Sequence, residues 1–86
     1  MPCVSQFFGI AIYLYCSDHL PPHFHAEYAG REARYEIETL RVKSGRLHRR
    51  AHNLVVEWAD VHRDELLENW WRARRGEPLM NIEPLD

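Results

Sequence analysis

The hydrophobic pattern of this 86-residue chain changes period once, and that change limits the folds open to it. As far as Glu38 apolar residues alternate with others; from Leu47 onward they recur every three to four positions. The first period belongs to strands and the second to helix. Strands followed by helix imply an α+β domain, a small antiparallel sheet with helix packed on one face. Phe7 to Cys16 reads as the first strand, rich in aromatic and β-branched residues. Phe8, Ile10, Ile12, Leu14 and Cys16 share one face, and Phe7, Ala11, Tyr13 and Tyr15 the other. Apolar residues on both faces imply a covered position. Gly9 within the run reads as a bulge or a close backbone approach.

Pro21 and Pro22 then break the ladder, because proline has no amide hydrogen to give. Beyond them, His23–Tyr28 and Ala33–Glu38 alternate cleanly as a hairpin. Phe24, Ala26, Tyr28, Ala33, Tyr35 and Ile37 form a dry face; the opposite face carries the two histidines with charged residues and reads as wet. A four-residue loop, Ala29 to Glu32, sets His23 opposite Glu38, His25 opposite Glu36 and Glu27 opposite Arg34. A two-residue Ala29–Gly30 loop keeps the same faces but opposes Glu27 to Glu32, and like charges in that position are unfavourable. The longer loop is therefore expected. A short further strand is expected around Arg41 to Lys43.

From Leu47 to Arg75 the chain reads as helix. Leu47, Ala51, Leu54, Val55 and Trp58 make one stripe, on which His62 also falls as a core histidine. Leu66, Trp70 and Ala73 make a second stripe, rotated by roughly a quarter turn. Either one long helix bends, or two helices meet near Val61 to Asp64. Gly76 and Pro78 end the helical run, and the tail with Ile82 and Leu85 is expected to be tied down. The expectation is about three strands and a long C-terminal helix in a single domain, 1–86, because a chain this short has room for one core.

Net charge is −2, which argues against binding nucleic acid through bulk positive charge. Charge is nonetheless segregated. Arg41, Lys43, Arg46, Arg49 and Arg50, with His48 and His52, occupy a stretch free of acids; the next stretch, to Trp70, sets Glu57, Asp60, Asp64, Glu65 and Glu68 against Arg63 alone. A basic patch of this kind suits RNA or an acidic partner. Trp70 and Trp71 are adjacent, so both cannot bury against one surface, and at least one is expected in an apolar contact patch for a partner or a second copy. With no signal peptide, no apolar run long enough to span a membrane, and only Cys3 and Cys16, the expectation is a cytoplasmic protein with reduced thiols.

The densest chemistry lies in Asp18 to Tyr28. His23 and His25, two apart on a strand, stand on one face about 6–7 Å apart at the backbone. Three readings follow. The first is charge pairing with glutamates of the next strand. The second is a divalent metal site, zinc or nickel, with His23 and His25 joined by Glu36, Glu38, Asp18 or His19 and one position left open. The third is metal-free acid–base work on a phosphodiester, in which His23 and His25 move protons with Glu36 while Arg34 steadies the phosphate charge. There is no glycine-rich phosphate loop and no recognisable serine or cysteine nucleophile, so ligase, kinase and hydrolase-triad chemistry is disfavoured.

Met1-Pro2, Phe7-Phe8-Gly9-Ile10, the whole of Asp18–Tyr28, Ile37-Glu38-Thr39, Glu57-Trp58-Ala59, His62–Trp70, Gly76–Leu79 and Ile82–Leu85 resemble the bacterial domain-of-unknown-function 4160 family. The resemblance runs over essentially the whole chain, and Pro21-Pro22-His23-Phe24-His25 is its most specific part; Cys16 and Trp71 depart from the usual pattern. Members of that family are short proteins often encoded beside a second small gene, an arrangement similar to a toxin–antitoxin pair. The resemblance therefore implies an interaction protein that binds the neighbouring gene's product, itself or both. The alternatives are an endoribonuclease-like toxin acting through His23 and His25, or a metal-binding protein using the same pair.

Overall fold

The computed structural model describes residues 3–15 and 19–86. Five strands form one antiparallel meander in chain order: β1 (Cys3–Phe7), β2 (Ile10–Tyr13), β3 (His23–Tyr28), β4 (Arg31–Glu36) and β5 (Val42–Gly45). Two helices follow, α1 (Arg49–Val61) and α2 (Arg63–Arg74). The α+β class holds; the counts of three strands and one helix are corrected.

Two strands account for the difference: β1, which lies almost wholly ahead of the predicted Phe7–Cys16 strand, and β5, near the short strand expected around Arg41 to Lys43. Phe8 and Gly9 have φ of 50° and 80°, and the chain reverses there so that Phe7 pairs with Ile10. Gly9 is thus a turn residue and not a bulge. Ala29 and Gly30 repeat the geometry, with φ of 52° and 77°. Two-residue turns with both central residues at positive φ match the natural twist of a hairpin. Tyr28 therefore pairs with Arg31, His25 with Arg34 and His23 with Glu36, and the four-residue loop is overturned. Glu27 does stand opposite Glu32. The repulsion is tolerated because Glu32 is exposed, where water and salt weaken it, and because Glu32 reaches diagonally to His25, with Oε2 3.5 Å from Nδ1. Turn geometry outweighs one like-charge pair.

The core lies between the sheet and α1. Phe24 and Tyr35 stack at 5.3 Å, and Trp58 of α1 meets Phe24 edge-on at 6.2 Å and Phe7 at 5.2 Å. Ala51, Val55, Trp58 and Ala59 supply the buried stripe of α1. The helical run breaks at His62 (φ −114°, ψ 24°), which ends α1 and begins α2, inside the interval where the stripe rotates. The break lets both stripes face the core, which a single straight helix could not do. His62 lies beside Trp58 and hydrogen-bonds Glu65 through Nδ1. Gly76 (φ 73°) closes α2: its N–H donates to the Ala73 carbonyl, and the Glu77 N–H donates to that of Arg72.

The tail is tied down as expected. Asn69 of α2, 1% exposed, donates to the Met80 carbonyl and accepts from the Met80 N–H. Trp58 Nε1 donates to the Glu83 carbonyl, and the Ile82 N–H donates to that of Val4 on β1. The tail therefore runs against the outer edge of β1. At the opposite side of the sheet, all four residues of β5 are exposed.

Candidate functional site

Two places collect the chemistry: the histidine corner of the sheet and the basic margin around β5. At the corner, β3 sets His23 and His25 on the face away from α1, with ring centroids 5.3 Å apart. That face is not wet at this point, which corrects the sequence reading. Each histidine is only 4% exposed. Tyr15, following β2, meets His25 edge-on at 4.4 Å, and Trp70 of α2 packs on His23 at 5.3 Å. Tyr13 continues the row, its ring 6.3 Å from Tyr15. Burial, with the Glu27 carboxylate and Cys3 adding to it, pushes the Tyr13 phenol above its ordinary pKa. His23 Nδ1 lies 2.9 Å from the Pro21 carbonyl oxygen. A carbonyl can only accept, so Nδ1 carries the proton and Nε2 is the nitrogen left for other partners.

The other predicted residues scatter. Arg34 is exposed, directly across the β3–β4 ladder from His25. Glu36 stands opposite His23, where its carboxylate accepts from the Thr39 hydroxyl at 2.9 Å. Glu38 is exposed in the turn after β4, and His19 is exposed ahead of the two prolines. Asp18 and Cys16 lie outside the described residues; Cys3 is a half-buried free thiol. Among the described residues, no three His, Cys, Asp or Glu side chains gather as a metal cluster. Sequence reasoning passed over Tyr15 and Glu32 as neighbours of His25. The Ala29–Gly30 turn was the signal that would have found Glu32.

The basic margin is better formed. Arg41, Lys43, Arg46, Arg49 and Arg50 are all exposed, and none makes an ion pair within the described residues. Lys43 lies on β5, Arg41 and Arg46 flank it, and Arg49 and Arg50 open α1. A groove of about 460 Å³ between β5 and α1 is walled by Val42, Gly45, Arg46, Leu47, Arg49 and His52. The first turn of α1 holds no acid, although a helix N-terminus favours negative charge. In α2 the preference is met: Asp64 and Glu65 open it, and Arg72 and Arg74 close it. Of the two tryptophans, Trp70 is fully buried beneath the Arg74 guanidinium and Trp71 is 44% exposed. Trp70 therefore leaves the candidate contact patch and Trp71 remains.

A family model described as "Domain of unknown function (DUF4160)" matches residues 9–71. The chain belongs to that family. No curated protein and no solved structure matches it. The match to the domain-of-unknown-function 4160 model begins in the β1–β2 turn and ends within α2, taking in the histidine corner and the whole basic margin. It is narrower than the whole-chain resemblance: β1 and the tail that bonds to it fall outside. Among the described residues no helix is long and apolar enough to cross a membrane.

Proposed function

We propose that this chain is an interaction module, one half of a two-gene, toxin–antitoxin-like pair, that binds an acidic partner protein through the margin formed by β5 and the start of α1. The observation that carries the reading is the uncompensated charge at the start of α1. Arg49 and Arg50 sit where the helix dipole is already positive, and among the described residues no carboxylate pairs with them. Such an arrangement costs stability on its own and is relieved when an anionic surface docks there. A protein partner is favoured over RNA. The run from Arg41 to Arg50 contains no Phe, Tyr or Trp on which a base could stack, and the chain as a whole is net negative. Burial of both imidazoles weighs against His23 and His25 as a site for a bulky phosphodiester.

Co-expression with the product of the neighbouring gene, followed by size-exclusion chromatography, tests the proposal. A co-eluting complex is expected, and reversing charge at Arg49→Glu and Arg50→Glu should disperse it while leaving the fold intact. Raising salt should weaken association, chiefly through a slower encounter rate. Independent elution of the two proteins at micromolar concentration would end this reading. Retention of RNA by the basic margin, released by nuclease, would replace it.

A further inference from the structure

The two outer edges of the sheet are treated differently. The chain's own tail runs against the free side of β1, where the Ile82 N–H bonds the Val4 carbonyl. Nothing among the described residues lies along β5 in the same way: the sheet ends there, and Val42, Lys43, Ser44 and Gly45 are all exposed. A terminal strand presents unpaired N–H and C=O groups in a fixed register, which is a template for another extended segment. Strand addition to such an edge draws affinity from the main chain and selectivity from pockets that receive alternate side chains.

This edge has both kinds of selectivity. Val42 pairs with buried Tyr35 and so faces the α1 side, where it and Leu47 wall the groove. The ladder is irregular between Arg34 and Tyr35, so that Lys43 is an extra residue on β5; Ser44, which pairs with Arg34, therefore faces the other way from Val42, towards an exposed cation. Arg46 and Arg49 add positive charge at the groove, and Lys43 lies on the strand itself. A second copy of the same edge would bring like charges together, so a homodimer through β5 is disfavoured. We infer that β5 receives an extended segment of a partner protein in which apolar and acidic residues alternate. The apolar side chains enter the Val42–Leu47 groove, and the acidic ones meet Arg34 and Lys43. This inference rests on the partner-binding reading and names the mode by which the partner is held.

The test uses the whole chain, labelled with ¹⁵N, and a capped synthetic peptide, Glu-Val-Glu-Val-Glu-Val, with Lys-Val-Lys-Val-Lys-Val as the control. The acidic peptide should shift the β5 amides and slow hydrogen exchange at those amides that do not bond β4. The basic peptide should do neither. Arg34→Glu with Lys43→Glu should weaken the acidic peptide by about tenfold or more and admit the basic one. Both positions are exposed, so the fold should be retained. If neither peptide protects β5 amides, or both do so equally, the inference fails and Lys43 only keeps copies apart. The two ideas fail separately. A complex with the neighbouring gene's product that leaves β5 exchange unchanged overturns strand addition alone. Protection by the acidic peptide without such a complex overturns that partner alone.

Discussion

At the scale of single residues, the best-defined polar contact in the core joins the sheet to α1. The Tyr35 hydroxyl lies 2.8 Å from His52 Nδ1, with the rings stacked at 5.6 Å. Burial pushes the Tyr35 phenol up to about 12. In the unfolded chain the same group titrates near pH 10. The folded state thus keeps a proton that the unfolded chain releases. Its contribution is whole below pH 10 and is lost as pH rises through about 12, with a full size on the order of 2 kcal/mol. Tyr35→Phe removes the group, so the variant should lose roughly 1 kcal/mol less than the parent between about pH 8 and about pH 11. Urea unfolding of both proteins at the two values measures the difference, and equal losses would show that the phenol is not so held. Alternation along β4 had put Tyr35 on the dry face. His52, by contrast, read as one more member of a basic run, because a partner seventeen positions away leaves no local signal.

At the scale of elements, two X–Gly dipeptides govern more of the sheet than the strands' own side chains do. Phe8–Gly9 reverses the chain between β1 and β2, and Ala29–Gly30 fixes the register that sets Arg34 across from His25. Side-chain alternation revealed which residues share a face, but a shift of two residues preserves every face, so alternation alone could not choose between registers. Ala29 at φ 52° carries strain that glycine or asparagine would not. Ala29→Asn should therefore raise stability by about 0.5–1 kcal/mol and the melting midpoint by several degrees. Differential scanning calorimetry checks it; an unchanged or lower midpoint would mean that the turn is not the constraint described. Replacing Gly45 should do the reverse: a Cβ there falls 2.1 Å from the Glu32 carbonyl oxygen, so even alanine would push β5 away from β4. Helix start and stop were legible from the stripes and from Gly76; the rotation of the apolar stripe marked Val61 to Asp64 but left open whether one helix bends there or two meet.

At the scale of the whole molecule, the tail joins the two ends of the chain. Residues beyond Gly76 touch α2 through Asn69, α1 through Trp58 and β1 through Val4, so the sheet edge at the N-terminus is closed by the C-terminus. That the tail would be tied was readable from Ile82 and Leu85; how it is tied was not, because Asn69 is a single polar residue whose partners are both backbone groups. The histidine pair was legible for the same reason in reverse: two like residues at a spacing of two show in any alternating strand, whereas Trp70 and Tyr15, which bury them, arrive from other elements. Asn69→Leu keeps the volume of the buried side chain while removing both bonds to Met80. Leaving that N–H and C=O without their partner should cost about 1–3 kcal/mol. The loss should be local in consequence. Hydrogen exchange should quicken at the Met80 and Ile82 amides and along β1, while β3 and β4 keep their protection, because their ladders do not depend on the tail. If exchange quickens equally everywhere, Asn69 supports the core as a whole; if the tail amides do not change, the clamp is not what holds it.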